Sequence, residues 1–111
     1  MAITVYEKRT CTKCRQLAAL LTERGVDFER VEFHLEGLTE PQLRDLVARA
    51  GVPARELLRR REPGAAALRD ADDDAVVAAM VAEPALLERP VVVNGERAVL
   101  ARPTERVLEI L

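Results

Sequence analysis

Tryptophan is missing from this chain, and the aromatic residues are Tyr6, Phe28 and Phe33 alone. A core must therefore be assembled from Leu, Val, Ile and Ala. Histidine occurs once, as His34, and cysteine twice, as Cys11 and Cys14. That falls short of the about four ligands a zinc shell requires, so only a site bridging two copies could hold zinc, and no metal is expected. No apolar run approaches the roughly 18 residues of a membrane-spanning helix. The opening MAITVYEKRT lacks a charged leader followed by a long apolar stretch, so no signal peptide is expected and the reading is cytoplasmic. A net charge of −2 gives no general reason to expect nucleic acid or an anionic membrane as partner. Lysine is nearly absent: of 17 basic residues only Lys8 and Lys13 are not arginine, a bias that suits GC-rich coding better than a binding surface.

What is present describes one soluble globular domain spanning residues 1–111, with 49% apolar and 32% charged residues. AITVY (2–6) reads as a strand. Leu17, Leu20 and Leu21 recur at helical spacing from Cys14 to the stop at Gly25. VDFERVEF (26–33) alternates apolar and charged residues, with a phase slip near its middle, and reads as a second strand ending near His34. Thr39 and Gln42 form a capping box ahead of a helix whose buried stripe is Leu43, Leu46, Val47 and Ala50. VPARELLRRR starts a further short helix, EPGAAALRD breaks the pattern, and the acidic Asp72–Asp74 triplet heads the helix AVVAAMVA. VVV (91–93), Asn94-Gly95 and ERAVLA read as a hairpin. Pro103 then opens a closing helix, TERVLEIL. The order is β-α-β, a helical insert at about 38–85, then β-β-α. This is an α/β, thioredoxin-like arrangement with a mixed sheet.

Both cysteines lie in RTCTKCR, at the turn from the first strand into the first helix. In a reducing compartment a lone Cys-x-x-Cys is more plausibly reactive than structural. A thiol reacts as thiolate, and a helix N-terminus beside cations lowers its pKa. Cys11 opens the helix, and Lys8, Arg9, Lys13 and Arg15 stand against Glu7 alone. Cys14 follows one turn later on the same side. This placement makes Cys11 the exposed nucleophile and Cys14 the partly buried resolver, although Cys14 also fits as a small core residue of the helix.

Arginine donates paired hydrogen bonds to oxyanions. In a thioredoxin-like layout Arg89, just before the third strand, lies next to the nucleophile, and the end of the hairpin can approach it. Any single arginine in so arginine-rich a chain reads first as a solvated surface charge. His34 reads as a surface or edge histidine, and the acidic triplet as a helix cap.

The constellation resembles the glutaredoxin-linked arsenate reductase family and its relatives, the Spx regulators and other reductase-like proteins. ITVYEKRTC (3–11) is similar to the family's opening strand and nucleophile. GVPARELLRRREP (51–63) looks like its Arg-x-x-Glu-Pro element, ALLERPVVV (85–93) like its Arg-Pro strand start, and ARPTERVLEIL (101–111) like its closing Arg-Pro helix. The resemblance implies Cys11 as catalytic nucleophile and Arg59, Arg89 and Arg102 as oxyanion-binding arginines. It also implies a cis bond before the structural Pro90. The substrate implied is arsenate or a similar oxyanion. No bound cofactor is implied; glutathione, glutaredoxin or thioredoxin serves as external reductant.

Arg102 favours the arsenate enzymes, since the closing Arg-Pro is typically absent from the Spx and reductase-like groups. Two departures point the other way. Thr12, Lys13 and Cys14 stand where the arsenate enzymes carry Gly-Thr-Ser, and this is closer to an Spx-type switch. Glu7 replaces a histidine and, as an acid, should raise the thiol pKa. Two alternatives therefore stay open: a redox-switched regulator that binds RNA polymerase, and a general glutathione-dependent thiol/disulfide reductase.

Overall fold

The computed structural model describes residues 3–111. Strands β1 (Ile3–Tyr6), β2 (Phe28–Val31), β3 (Val91–Asn94) and β4 (Arg97–Leu100) form one mixed sheet in the order β2-β1-β3-β4. β1 runs parallel to β2 and antiparallel to β3, and β3 and β4 form an antiparallel hairpin. Helix α1 (Thr12–Glu23) connects the parallel pair. Between β2 and β3 come α2 (Phe33–Glu36), α3 (Glu40–Ala50), α4 (Asp73–Ala82) and three short 3₁₀ turns. A 3₁₀ turn over Thr104–Glu109 follows β4.

The period of two along each strand divides the side chains between the two faces of the sheet. Ile3, Val5, Val92 and Val99 pack on one face with Leu17 and Leu21 of α1 and with Val107 and Ile110. Val91 and Ala98 face the other side, where Phe33, Leu43, Leu46, Val76, Val77, Met80 and Leu87 complete a second core. A sheet covered on both faces explains the unbroken apolar run of β3, which has no solvent face to mark with polar residues.

The local signals act as their chemistry dictates. In the capping box, the Gln42 N–H donates to Thr39 Oγ1 at 3.2 Å and the Thr39 N–H donates to Gln42 Oε1 at 2.9 Å. Asp72 caps α4 by accepting the Ala75 N–H at 2.9 Å. Asp73 does more than its dipole role: it accepts the Ala54 N–H at 2.8 Å and so fixes α4 against the Ala54–Leu57 turn. Leu17 and Leu21 of α1 are fully buried, and the helix ends at Gly25 with φ 69°.

Three expectations need adjustment. The second strand covers only Phe28–Val31. The phase slip falls inside it, where Phe28 packs on the α1 side of the sheet and Val31 on the insert side, and Phe33 turns into the insert-side core as the first residue of α2. His34 therefore sits in α2, with Nδ1 buried and unpartnered, rather than at a strand end. The hairpin loop is Gly95-Glu96, since Asn94 pairs with Arg97 inside the ladder. Gly95 has φ 62° and, among the described residues, no non-glycine has positive φ, so only the first loop position has positive φ, as in a II′ turn. Asn94 instead donates its side-chain N–H to the Ile110 carbonyl at 2.6 Å, tying the hairpin to the C-terminal segment. Finally, the closing segment and VPARELLRRR form 3₁₀ turns rather than α-helices.

Candidate active site

Three parts of the structure meet at the N-terminal end of α1: the strand-to-helix loop, the paired segments around Leu58 and Leu87, and the end of the hairpin at Ala101 and Arg102. Cys11 is the N-cap residue of α1, with φ −79° and ψ 125°. Its N–H donates to the Lys8 carbonyl at 2.9 Å, and its own carbonyl accepts the Arg15 N–H at 3.0 Å. This closes the strand-to-helix loop tightly and points the thiol into the turn where unpaired helix N–H groups converge. Cys14, one turn on, is 1% exposed, in the first turn of α1.

The second segment enters through a pairing no local pattern announces. Leu58 forms an antiparallel bridge with Leu87. The Arg59 N–H donates to the Leu86 carbonyl at 2.8 Å, and the Glu88 N–H donates to the Leu57 carbonyl at 2.8 Å. Arg59 is thereby carried alongside Glu88 and Arg89. The third segment closes the group: Arg102 Nε donates to the Arg89 carbonyl at 2.7 Å, and the Ala101 N–H donates to the Pro90 carbonyl at 3.0 Å. Both Arg89–Pro90 and Arg102–Pro103 are cis.

These segments enclose an open cavity of about 380 Å³, lined by Cys11 together with Lys8, Lys13, Arg59, Arg61, Arg89 and Arg102, and by Thr10 and Thr12. No acidic side chain lines it. Arg102 Nη2 lies 3.8 Å from Cys11 Sγ. Arg89 is 8% exposed and its Nε is buried without a partner, an uncommon state for so costly a group.

The two thiols are driven apart. Burial by itself raises the Cys11 pKa. The Cys14 N–H, the Cys14 thiol, Arg89 and the Lys13 N–H all bond to its sulfur, and the net result lies below the ordinary thiol value. Cys14 is pushed up to about 12, first by burial and then by its hydrogen bond to Cys11, the Cys11 charge and the Glu7 charge. Cys11 is thus the more readily ionised of the two, and Cys14 the thiol that donates to it. Glu7 does not act on Cys11 as expected from its sequence position: its carboxylate is 1% exposed, bonds Arg30 at 3.0 Å, and bears on Cys14.

Of the residues singled out from the sequence, Cys11, Arg59, Arg89 and Arg102 share the cavity, Pro90 holds the backbone beneath it, and Cys14 lies against the Cys11 sulfur. Glu88, which carries no such signal in the sequence, joins them. Its Oε1 is 3.5 Å from Arg59 Nη1 and 3.3 Å from Arg102 Nη2, and it accepts the Arg89 N–H at 3.2 Å. An acid next to an Arg-Pro pair has no local signature; the Leu58–Leu87 bridge brings it Arg59, and the Arg102–Arg89 hydrogen bond brings it Arg102. His34, Cys11 and Cys14 do not gather into a metal shell: among the described residues no group of His, Cys, Asp and Glu could hold a metal ion. No helix among them is long and apolar enough to cross a membrane.

Comparison with known proteins gives a consistent result. The sequence model of the ArsC family matches residues 6–110. An uncharacterized protein of Escherichia coli, YfgD, is 39% identical over 98% of this chain and 96% of its own length. An arsenate reductase of Haemophilus influenzae is 30% identical over the full length of both chains. Among solved structures, the arsenate reductase from Vibrio cholerae superposes with a TM-score of 0.92 at 33% identity, covering 100% of this chain and 98% of its own.

Proposed function

This chain belongs to the ArsC family, and on that premise we propose that it is a thiol-dependent reductase converting arsenate to arsenite. The observation that carries the reading is a depressed-pKa thiol facing a cavity lined by cations and no acid. Relatives called arsenate reductases across the same length support it.

Arg59, Arg89 and Arg102 bind the arsenate oxygens, with Lys8 and Lys13 adding positive potential at the cavity. The Cys11 thiolate attacks arsenic(V); an arsenic–sulfur bond forms and one oxygen leaves as water after taking up protons. Arginine forks aimed at the three remaining oxygens stabilise the charge that builds up in this step. Bond formation also removes the negative charge of Cys11. Two of the causes that hold the Cys14 pKa high are the charge of Cys11 and the hydrogen bond to it. Both are relieved once Cys11 is bonded to arsenic, so Cys14 ionises more readily after the first step than before it. Its thiolate then attacks the Cys11 sulfur. A disulfide forms, the arsenic–sulfur bond breaks with its electron pair moving to arsenic, and arsenic(III) departs as arsenite. An adjacent thiol has a high effective concentration for this step. Glutathione, glutaredoxin or thioredoxin, in a reducing cytoplasm, returns the two electrons. The burial of Cys14 favours a second route, in which external glutathione takes its place at the adduct.

The competing readings separate by substrate. A general disulfide reductase or a redox-switched regulator needs Cys11 and Cys14 but not the arginines. Arsenate turnover and reduction of a glutathione mixed disulfide are measured side by side for Arg89→Ala and Arg102→Ala. The expected outcome is a large loss on arsenate and a much smaller one on the disulfide, where only the readiness of Cys11 to ionise is affected; equal losses would remove the oxyanion assignment.

A further inference from the structure

Glu88 stands in the wrong place for a site that only collects anions. Arg59 and Arg102 each approach its Oε1, at 3.5 Å and 3.3 Å, and its side chain is 14% exposed. Arg59 also has Glu62 at 3.5 Å. Two of the three arginines therefore carry an internal counter-charge before any ligand arrives, while Arg89 Nε has none. The carboxylate does not line the cavity, so an oxyanion bound there meets Glu88 through the arginines and through the field of a like charge.

We propose that Glu88 sets the affinity of the cavity: it is a built-in anion that draws on Arg59 and Arg102 and weakens the reversible binding of every oxyanion the cavity takes. The proposal rests on the arginine cavity being an oxyanion site. Its logic is electrostatic. Phosphate and sulfate have the same tetrahedral shape and similar charge as arsenate, so an untuned cluster of arginines would hold them as well. A like charge behind the cluster lowers the affinity for all three by a similar factor. Arsenate alone then goes on to react, exchanging an oxygen for the Cys11 sulfur. The ratio of affinities stays the same, but occupancy by an abundant, unreactive anion falls. The arrangement also keeps the like-charged Arg59 and Arg102 from repelling each other while the cavity waits for its ligand.

The test uses sulfate and inorganic phosphate as probes and does not depend on arsenate turnover. Iodoacetamide modification of Cys11 in the full-length reduced protein is followed by mass spectrometry against increasing sulfate or phosphate, which protects the thiol when it occupies the cavity. Glu88→Gln retains an oxygen to accept the Arg89 N–H but removes the charge. It should tighten the protecting concentration of both anions by about tenfold, the scale of one like charge withdrawn from an anion site. Glu62→Gln, which touches only Arg59, should shift it the same way by about threefold, and serves if Glu88→Gln fails to fold. Unchanged or weaker protection in the variants overturns the proposal while leaving the oxyanion site intact. Absence of protection in the parent and both variants overturns the oxyanion site, and the proposal with it.

Discussion

The arginines of the insert helices and those of the cavity have the same side chain in opposite circumstances. On α3, Arg44 bonds Glu40 at 2.9 Å and Asp74 at 2.8 Å, and Arg49 bonds Asp45 at 2.8 Å. These are short, exposed pairs in which each cation has a carboxylate of its own. Around Cys11 the pairs lengthen to 3.3–3.5 Å, two arginines share Glu88, and Arg89 is buried with an unpartnered Nε. Exposed pairs cost the protein little and contribute little. A buried, half-satisfied cation such as Arg89 is expensive to fold around, and in the function proposed above an oxyanion completes it. The contrast separates solvated surface charge from charge gathered around a cavity at Cys11, a distinction that composition alone could not make.

The sharpest way to break the contrast is to remove the centre on which the cavity cations converge. Cys11→Ser should abolish arsenate reduction and leave the melting temperature close to that of the parent, as read by arsenite release and thermal unfolding. Next in size, Arg89→Ala or Arg102→Ala should lose about 2–4 kcal/mol of transition-state stabilisation, a hundredfold or more in kcat/KM for arsenate. Arg89 also bonds the Cys11 sulfur, so its removal should act on pH. The thiolate is the reactive form, and alkylation at Cys11 therefore rises with pH through a midpoint below the ordinary thiol value. In Arg89→Ala that midpoint should move upward, which the pH profile of iodoacetamide modification measures directly.

On the insert side the effects should be structural and small. Thr39→Ala removes one half of the capping box and should cost about 1 kcal/mol of stability with unchanged kcat/KM, as read by urea unfolding and arsenate turnover. Arg44→Ala, at the exposed end of the comparison, should change neither turnover nor melting temperature measurably. A loss of arsenate turnover there comparable to Arg102→Ala would erase the distinction between the two sets of arginines.

How much of this could be read from the residues in order depends on how local each signal is. The capping box, the Asp72 cap, the glycine stop of α1 and the hairpin are set by neighbours within a few positions, and each was legible. So was the position of Cys11, because a strand-to-helix turn flanked by basic residues is a local pattern. The end of β2 was misjudged because Phe33 answers to a core built by α3, α4 and β3, not to the alternation before it. Asn94 looked like a turn residue until the C-terminal carbonyl of Ile110 came within reach. The three arginines were separable from their neighbours only through resemblance to a family; from composition alone Arg59 is no different from Arg60. Glu88 was invisible for the same reason in stronger form, since its partners come from segments 29 and 14 positions away in the chain, brought in by the Leu58–Leu87 bridge and the Arg102–Arg89 hydrogen bond.

The account centres on two thiols with divided roles at one oxyanion site, and a single-turnover thiol count tests it most directly. Fully reduced protein is mixed with arsenate in the absence of any other thiol, and free thiols and arsenite are counted together. The account predicts the loss of two thiols for each arsenite released, with Cys11 and Cys14 joined as a disulfide. Arsenite that appears only when glutathione is added would contradict the role given to Cys14, and no arsenite under either condition would contradict the reductase itself.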